Sequence, residues 1–398
     1  MKVIDKDKTI SDKNYKPEID GLRAIAIIAV IINHFNKDIL QSGYLGVDIF
    51  FVISGFVITS SIERRKYENF RNFIFGFYER RVKRLFPAIC LFVIIATVLS
   101  CIFISDPKTY LSTGRLSLIG LSNIALFENS IDYFATSADL NPFLHTWSLG
   151  VEEQFYFLFP FIAWFSGLNQ NFINKGKRNF KFILLIISSL SLIGFLYFYE
   201  RNFSAAYFLM PFRIWEIGFG SIIYFYKRRF FSTKLSVFLS DFLFLLIIGT
   251  FFLPINIGNY STVLVVSFTC MYLCQEKTNS FSYNLLTSKN IIKIGKFSYS
   301  LYLWHWLIIV ISRWTIGIHW WSIPFQVLII FLCSYASFKL VENPLRNFKK
   351  ASQKLTYFIS GIMLIIVFNI NNQISKTEIL QNNLFKLNPL TKEILKEQ

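Results

Sequence analysis

The sequence predicts an all-α polytopic membrane protein, and two features support this fold class. The chain of 398 residues is 54% hydrophobic and only 16% charged. Long apolar runs recur along it, such as Phe182–Phe198, Phe242–Leu253 and Tyr357–Phe368. Such runs are typical of helices that cross a bilayer. Most Lys and Arg residues lie in short linkers between these runs, so the net charge of +17 reflects membrane topology and not nucleic-acid binding.

The apolar runs predict about eleven transmembrane helices in a single bundle, a ten-helix core plus one. The predicted spans are at about 20–40, 44–62, 85–105, 147–166, 180–199, 203–226, 235–253, 260–275, 291–311, 321–339 and 356–370. The apolar stretch Leu116–Phe127 has only twelve residues. Because this is too short to cross a bilayer, we expect it to be re-entrant or to lie in the interface.

The basic residues predict the orientation of the spans. Thirty Lys and Arg lie in one set of segments, namely 1–18, 63–84, 167–181, 227–234, 276–296 and 339–354. The alternate linkers carry five in total. The positive-inside rule then places the N-terminus in the cytoplasm and the C-terminus outside. The expected layout is a cytoplasmic tail (1–18), a membrane core (19–348), a linker with the eleventh helix (349–370) and a short polar external tail (371–398).

Arg23 and His34 lie eleven residues apart in the first apolar run. In a helix this spacing puts both side chains on one stripe, roughly 16 Å apart along the axis. Ionisable groups at membrane depth usually face a protein interior or a wet cavity, so the pair indicates a polar path with a chemical group at each end. The alternative is an Arg that reaches to the interface and a His satisfied by a neighbouring helix.

Asp48 opens the second predicted span, after a short turn at residues 41–43. The turn brings the ends of the first two helices together, so Asp48 is placed to orient His34 or to stabilise its charge. The alternative is that Asp48 marks the membrane interface.

Arg81 and Arg84 lie three residues apart on the predicted cytoplasmic side, hence on one face of a helix. Guanidinium groups bind phosphates in bidentate fashion, which suits a phosphorylated cytosolic cofactor. The alternative is that these arginines simply belong to a basic cytoplasmic loop, which the positive-inside rule alone would explain.

His145 and Glu152 lie seven residues apart, two helical turns, at the predicted outer surface. A His–carboxylate pair there would act as general base and orienter toward an external acceptor hydroxyl. Glu153 and Tyr156 support this cluster.

Other polar groups interrupt later spans. Ser298, Tyr302 and His305 form a stripe on the ninth span, which serves either chemistry or helix packing. Arg213 and Glu216, at i and i+3, fit an intramembrane ion pair of structural role. The five Cys have no ligand-like spacing, so we expect neither a metal site nor a disulfide framework.

Taken together, these stretches resemble the acyltransferase 3 family of membrane O-acyltransferases, which includes bacterial enzymes that acetylate cell-surface glycans. The resemblance covers roughly residues 17–348 and rests on seven motifs in chain order. These motifs contain Arg23 and His34; Gly46–Phe56; Arg81, Arg84 and Pro87; His145–Tyr156; Arg213, Trp215 and Glu216; Ser298–His305; and Glu342, Pro344 and Arg346.

The resemblance implies a multi-pass enzyme of the cytoplasmic membrane that takes an acyl group, most simply acetyl, from cytosolic acetyl-CoA. The acceptor would be a hydroxyl of an exported, surface or lipid-linked glycan. Arg81 and Arg84 would hold the CoA phosphates, with Arg23 at the inner end of the path. His34 would act as general base or transient acyl carrier, and His145 and Glu152 would assist the acceptor. Rival hypotheses are a transporter of an acylated carrier or small anion, and a half-system that only presents the acyl group outside.

Many fused relatives continue after an eleventh span into an external SGNH-type hydrolase-like domain, whereas about 28 residues follow that span here. We therefore expect the protein either to act alone on its acceptor or to depend on a separate SGNH-type partner.

Overall fold

The computed structural model describes residues 15–65, 69–104, 107–131, 138–168, 173–226, 233–275, 280–346 and 353–376. Within these ranges every regular element is helical, which confirms the all-α class. The α-helices are α1 (Pro17–Phe35), α2 (Gly46–Glu63), α3 (Phe70–Phe103), α4 (Lys108–Ser117), α5 (Ser122–Ile131), α6 (Thr146–Phe165), α7 (Ile173–Arg201), α8 (Phe203–Phe208), α9 (Ile214–Ile223), α10 (Thr233–Thr250), α11 (Gly258–Cys274), α12 (Phe281–Leu286), α13 (Lys289–Lys296), α14 (Ser298–Trp314), α15 (Ile323–Ser337), α16 (Asn343–Arg346) and α17 (Gln353–Lys376).

Shorter helical turns connect several of these helices. Five are 3₁₀ turns, at Gly43–Leu45, Ala138–Leu140, Met210–Phe212, Tyr224–Tyr226 and Ile255–Ile257, and one is a π-helical turn at Phe338–Glu342.

Five stretches of the described chain are long and apolar enough to cross a membrane. They are Gly43–Glu63, Phe70–Phe103, Asn174–Arg201, Ile255–Cys274 and Ile323–Arg346. The pair α13 and α14, interrupted at Phe297, counts as a sixth if it forms one span. The chain is therefore a multi-pass membrane protein, whereas the count of eleven spans and the orientation of the termini stay predictions.

The predicted sixth span, 203–226, is not one continuous helix. It is divided into α8, the 3₁₀ turn Met210–Phe212 and α9. Leu209 has extended backbone angles and Pro211 follows two residues later, so the helix cannot continue through this point. The chain resumes as α9 after Arg213, whose buried side chain pairs with Glu216.

The apolar stretch Leu116–Phe127 is also divided. Helix α4 ends at Ser117, Gly120 adopts a left-handed backbone conformation with φ of 70°, and α5 starts at Ser122. Each ten-residue helix is about 15 Å long, half the thickness of the hydrocarbon core, so neither crosses a bilayer alone. At the C-terminal end, α17 continues to Lys376, past the predicted boundary at 370.

The described residues form two compact units. One contains the residues up to Ile53 together with Phe225–Ser298, and the other contains Ser54–Tyr224 and the residues from Tyr299 onward. The first unit therefore combines two segments far apart in the chain, a pairing that a linear hydropathy pattern does not encode.

Small residues allow close backbone approach within the first unit. A Cβ at Gly295 of α13 would overlap the carbonyl of Asp20 in α1, and one at Gly21 would overlap the carbonyl of Leu286. Such contacts, typical of membrane helix packing, fix α1 against α12 and α13.

We expect Gly295→Ala to destabilise the protein by about 1–3 kcal/mol, because backbone atoms must move to admit the methyl group. The matched control is Gly361→Ala in α17, where a Cβ would meet nothing within 4 Å. The measurement is the apparent unfolding temperature of the purified protein in detergent. An unchanged temperature for Gly295→Ala would contradict the close packing.

Candidate active site

Helix α1 is continuous from Pro17 to Phe35, so Arg23 and His34 project from the same side of it, as the spacing predicted. Both side chains are half-buried. The Arg23 guanidinium lies 3.1 Å from Asp20 Oδ1, and the Tyr15 hydroxyl donates to Asp20 Oδ2 at 2.6 Å. Asp20 therefore orients the arginine, a role that the sequence analysis did not assign.

The start of α2 packs on the second half of α1. A Cβ at Gly46 would overlap the carbonyl of Ala26, and Asn33 donates to the carbonyl of Leu40 at 2.6 Å. Asp48 lies in the first turn of α2 with 1% of its surface exposed. Its role toward His34 stays a prediction.

In the second unit, Arg81 of α3 and Tyr156 and Glu152 of α6 come together. The Arg81 guanidinium stacks 4.7 Å from the centre of the Tyr156 ring. Glu152 accepts hydrogen bonds from Ser54 at 2.7 Å and from the Tyr156 hydroxyl at 3.2 Å. It also interacts electrostatically with Arg81 and Arg84. We call Ser54, Arg81, Arg84, Glu152 and Tyr156 the arginine–carboxylate cluster.

The position of Glu152 in this cluster corrects one expectation. The sequence analysis placed Glu152 at the outer surface and Arg81 on the cytoplasmic side, but the two side chains belong to one cluster. Glu152 and Tyr156 are four residues apart and so share a helix face. That face of α6 packs on α3. The packing of α3 against α6 therefore determines that Glu152 interacts with Arg81.

Arg84 has a second acidic neighbour in Glu342 of the π-helical turn, whose side chain is buried. Ser300 donates to Glu342 at 3.1 Å. Arg84 thus interacts with the carboxylates of Glu152 and Glu342. These interactions restrict its side chain more than solvent exposure in a basic loop would.

His145 precedes α6 and is buried among aromatic rings. Its ring centre lies 5.3 Å from Phe92, 5.4 Å from Tyr302 and 5.6 Å from His305. The Tyr302 hydroxyl donates to the His145 carbonyl at 2.9 Å. His145 lies about 10 Å from Glu152 along the helix, so the structure groups it with Tyr302 and His305 instead.

The tautomer of His305 follows from its surroundings. Its Nδ1 lies 2.7 Å from the carbonyl oxygen of Tyr302 and 3.1 Å from that of Leu301. Because a carbonyl only accepts, Nδ1 carries the proton in the neutral ring, and Nε2 is the basic nitrogen.

Arg213 and Glu216 form the buried ion pair that their spacing predicted, with 2.8 Å between Nη1 and Oε1. The rings of Trp147, Phe195 and Tyr207 surround the Arg213 guanidinium at 5.4–5.6 Å. This enclosure supports the structural role.

A cavity of about 510 Å³ adjoins the arginine–carboxylate cluster. Apolar side chains of α3, α6 and the α4–α5 turn form most of its wall, and its polar lining residues are Tyr78, Arg81, Glu153, Gln154 and Tyr156. The sequence analysis did not predict this cavity, because its walls come from four separate parts of the chain, namely α3, the α4–α5 turn, α6 and Met210.

Gln154 holds the α4–α5 turn against α6. Its amide donates to the carbonyl of Gly120 at 2.8 Å and to Asn123 Oδ1 at 2.7 Å. Asn123 in turn donates to the carbonyl of Phe208 at 3.0 Å. These bonds fix the cavity wall at Gly120.

In the part of the chain that the structure describes, no group of three His, Cys, Asp or Glu side chains is arranged to hold a metal ion.

The helices and the partly buried arginine–carboxylate cluster define a polytopic membrane protein with a polar site beside an apolar cavity. The chain belongs to the acyltransferase domain family, acyltransferase 3, whose sequence profile matches residues 16–339.

Curated relatives share this region at about one third identity. The O-acetyltransferase OatA of Staphylococcus aureus strain MRSA252 is 32% identical over 386 residues, which cover 89% of this chain and 62% of that protein. The OatA of strain NCTC 8325 is 33% identical over 361 residues, covering 84% and 57%. A putative O-acetyltransferase of strain MRSA252 is 30% identical over 374 residues, covering 89% and 61%. The chain therefore spans about three fifths of the length of these relatives. No solved structure matches it.

Proposed function

We propose that the protein transfers an acetyl group from cytosolic acetyl-CoA to a hydroxyl of an exported or surface glycan. The observation that carries this proposal is the arginine–carboxylate cluster beside an apolar cavity, in a chain of the acyltransferase domain family. The names of the relatives support O-acetyl transfer as the reaction.

Arg81 supplies the cation for the phosphates of CoA, and Arg84 holds the carboxylates of Glu152 and Glu342 and adds to the positive field. Guanidinium groups suit this task because they stay charged and bind phosphate oxygens in pairs. Arg23, oriented by Asp20, stabilises the thioester end of the donor at the inner end of the path.

His34, near the other end of α1, acts as general base or as transient acyl carrier, with Asp48 as its orienting carboxylate. His145, together with Tyr302 and His305, assists the acceptor, whereas Glu152 positions Arg81 on the donor side. In the overall reaction the hydroxyl oxygen bonds to the acetyl carbon, the C–S bond breaks, and the hydroxyl proton leaves with the CoA thiolate.

The test is mass analysis of surface glycans from the bacterial host with and without the gene. We expect the glycan to lose an acetyl increment when the gene is deleted and to regain it on complementation. Unchanged glycans in both strains would contradict the proposal.

Purified protein in vesicles with acetyl-CoA and the glycan then tests whether the chain completes transfer alone. Transfer that appears only after addition of a separate SGNH-type protein would identify an acyl-presenting half-system. Absence of both acetyl-CoA turnover and acyl exchange would favour a transporter.

A further inference from the structure

Two adjacent acids of α6 have different surroundings. Glu152 is held by Ser54, Tyr156 and the electrostatic pull of Arg81 and Arg84. Glu153 is one position further, about 100° around the helix, and lines the cavity. Among the described residues none forms a hydrogen bond or ion pair with its carboxylate, and its nearest acidic neighbour is the like-charged Glu152.

The cavity around Glu153 is largely apolar, and part of its lining is exposed. Ile119, Phe157 and Leu158 line it and are 44%, 61% and 40% exposed. A carboxyl group in such surroundings is costly to keep as a bare charge, and the neutral acid costs less. Glu153 is therefore suited to hold a proton that a ligand then takes.

Gly120 keeps the wall open beside this carboxyl group. Its φ of 70° disfavours other residues, and a Cβ there would lie 2.6 Å from Glu153 Oε2. Gln154 fixes the turn that contains Gly120. The α4–α5 turn therefore has a residue without a side chain where it faces the Glu153 carboxyl group.

We propose that the cavity binds the pantetheine arm of the acyl donor and that Glu153 is the proton donor to its sulfur. This inference rests on the proposed acetyl transfer and names a further catalytic residue for it. The sequence analysis favoured Glu152 for catalysis, whereas the contacts make Glu152 a positioning residue for Arg81 and Tyr156.

In the proposed step the nucleophile bonds to the acetyl carbon and the C–S bond breaks, with its electron pair going to sulfur. Glu153 gives its proton to that sulfur and forms the CoA thiol. The carboxylate then takes the proton that the nucleophile releases, so the acid is restored. A free thiolate is a stronger base than a free carboxylate, so the proton of Glu153 can pass to the sulfur.

The test compares Glu153→Gln, Glu153→Asp and Glu152→Gln in the full chain, reconstituted in vesicles. Two acyl donors are used: acetyl-CoA, and p-nitrophenyl acetate, whose leaving group needs no proton. For Glu153→Gln we expect at least a tenfold loss of kcat with acetyl-CoA, with KM within about threefold of the parental value. That loss should exceed the loss with p-nitrophenyl acetate by at least tenfold, and Glu153→Asp should recover part of the rate. Glu152→Gln should raise KM for acetyl-CoA, whose phosphates Arg81 binds, without the selective loss of kcat that is expected for Glu153→Gln.

An equal loss with both donors for Glu153→Gln, or no loss at all, would overturn the proposal. If the parental protein does not turn over acetyl-CoA, the proposed function itself fails, which is a separate outcome.

A second measurement does not depend on turnover. Dicyclohexylcarbodiimide modifies protonated carboxyl groups that are accessible from an apolar phase. We expect peptide mass analysis to find the adduct on Glu153 in the parental protein and in Glu152→Gln, with acetyl-CoA giving protection. An adduct on Glu152 instead, no adduct on either acid, or labelling that acetyl-CoA does not reduce would overturn the proposal.

Discussion

His34→Ala is expected to lower acetyl transfer to the glycan at least a hundredfold, because removal of a general base or nucleophile typically costs two to four orders of magnitude. Arg23→Ala should cause a loss of similar size, since it removes the cation that Asp20 orients. The measurement is transfer of labelled acetyl from acetyl-CoA to the glycan in membranes, normalised to the amount of each variant.

The matched control for His34 is His319→Ala. His319 is an exposed residue whose ring stacks on Trp321 at 5.7 Å. We expect this variant to retain the parental rate. If His34→Ala also retained that rate, the proposal that His34 of α1 acts as general base or acyl carrier would be wrong. Labelled acetyl trapped on the parental protein but not on His34→Ala would identify an acyl carrier, and its absence would favour a base.

The second large effect is expected for Arg81. Replacing it with Ala removes the guanidinium that stacks on Tyr156 and leaves the partly buried Glu152 with one cation fewer. Removing one partner from a fully buried ion pair costs about 3–5 kcal/mol, and the partial exposure of Arg81 and Glu152 makes the cost smaller here. We therefore expect KM for acetyl-CoA to rise at least tenfold and the apparent unfolding temperature to fall.

Arg81→Lys separates charge from shape. Lysine keeps the charge but has no planar group to stack on Tyr156 or to bind phosphate in pairs, so we expect partial recovery of stability and poor recovery of KM. Arg71→Ala is the control on the same helix, because Arg71 is exposed and only borders the Phe75 ring at 5.8 Å. An Arg81→Ala variant with the kinetics of Arg71→Ala would rule out a donor-binding role.

The sequence predicted the helical class because apolar runs and charged linkers are local features. It also predicted the stripe of Arg23 and His34 and the Arg213–Glu216 pair, since spacings of eleven and three residues define shared helix faces. It did not predict the break within 203–226. Apolar composition alone gave a continuous span there, whereas Pro211 and the extended Leu209 interrupt the helix.

The candidate site shows where such local reasoning ends. Ser54 lies within the motif Gly46–Phe56, but no signal in that segment connects it to Glu152. Gly120 and Gln154 were not singled out at all, because their meaning depends on a turn meeting a helix. In the sequence, Gly120 is only a glycine next to an apolar run and Gln154 only a Gln beside two acids. Neither indicates a cavity wall until the hydrogen bond between them is known.

The sequence by itself determined the membrane character, the helical periodicity and the identity of the chemically capable residues, because each follows from composition and short-range spacing. Only the tertiary structure decided which of them meet. It joined Arg81 to Tyr156 and Glu152, grouped His145 with Tyr302 and His305, and left Glu153 facing an apolar cavity. The physical reason is that partner choice depends on how α3, α6 and the α4–α5 turn pack. Those contacts join residues that are distant in the chain.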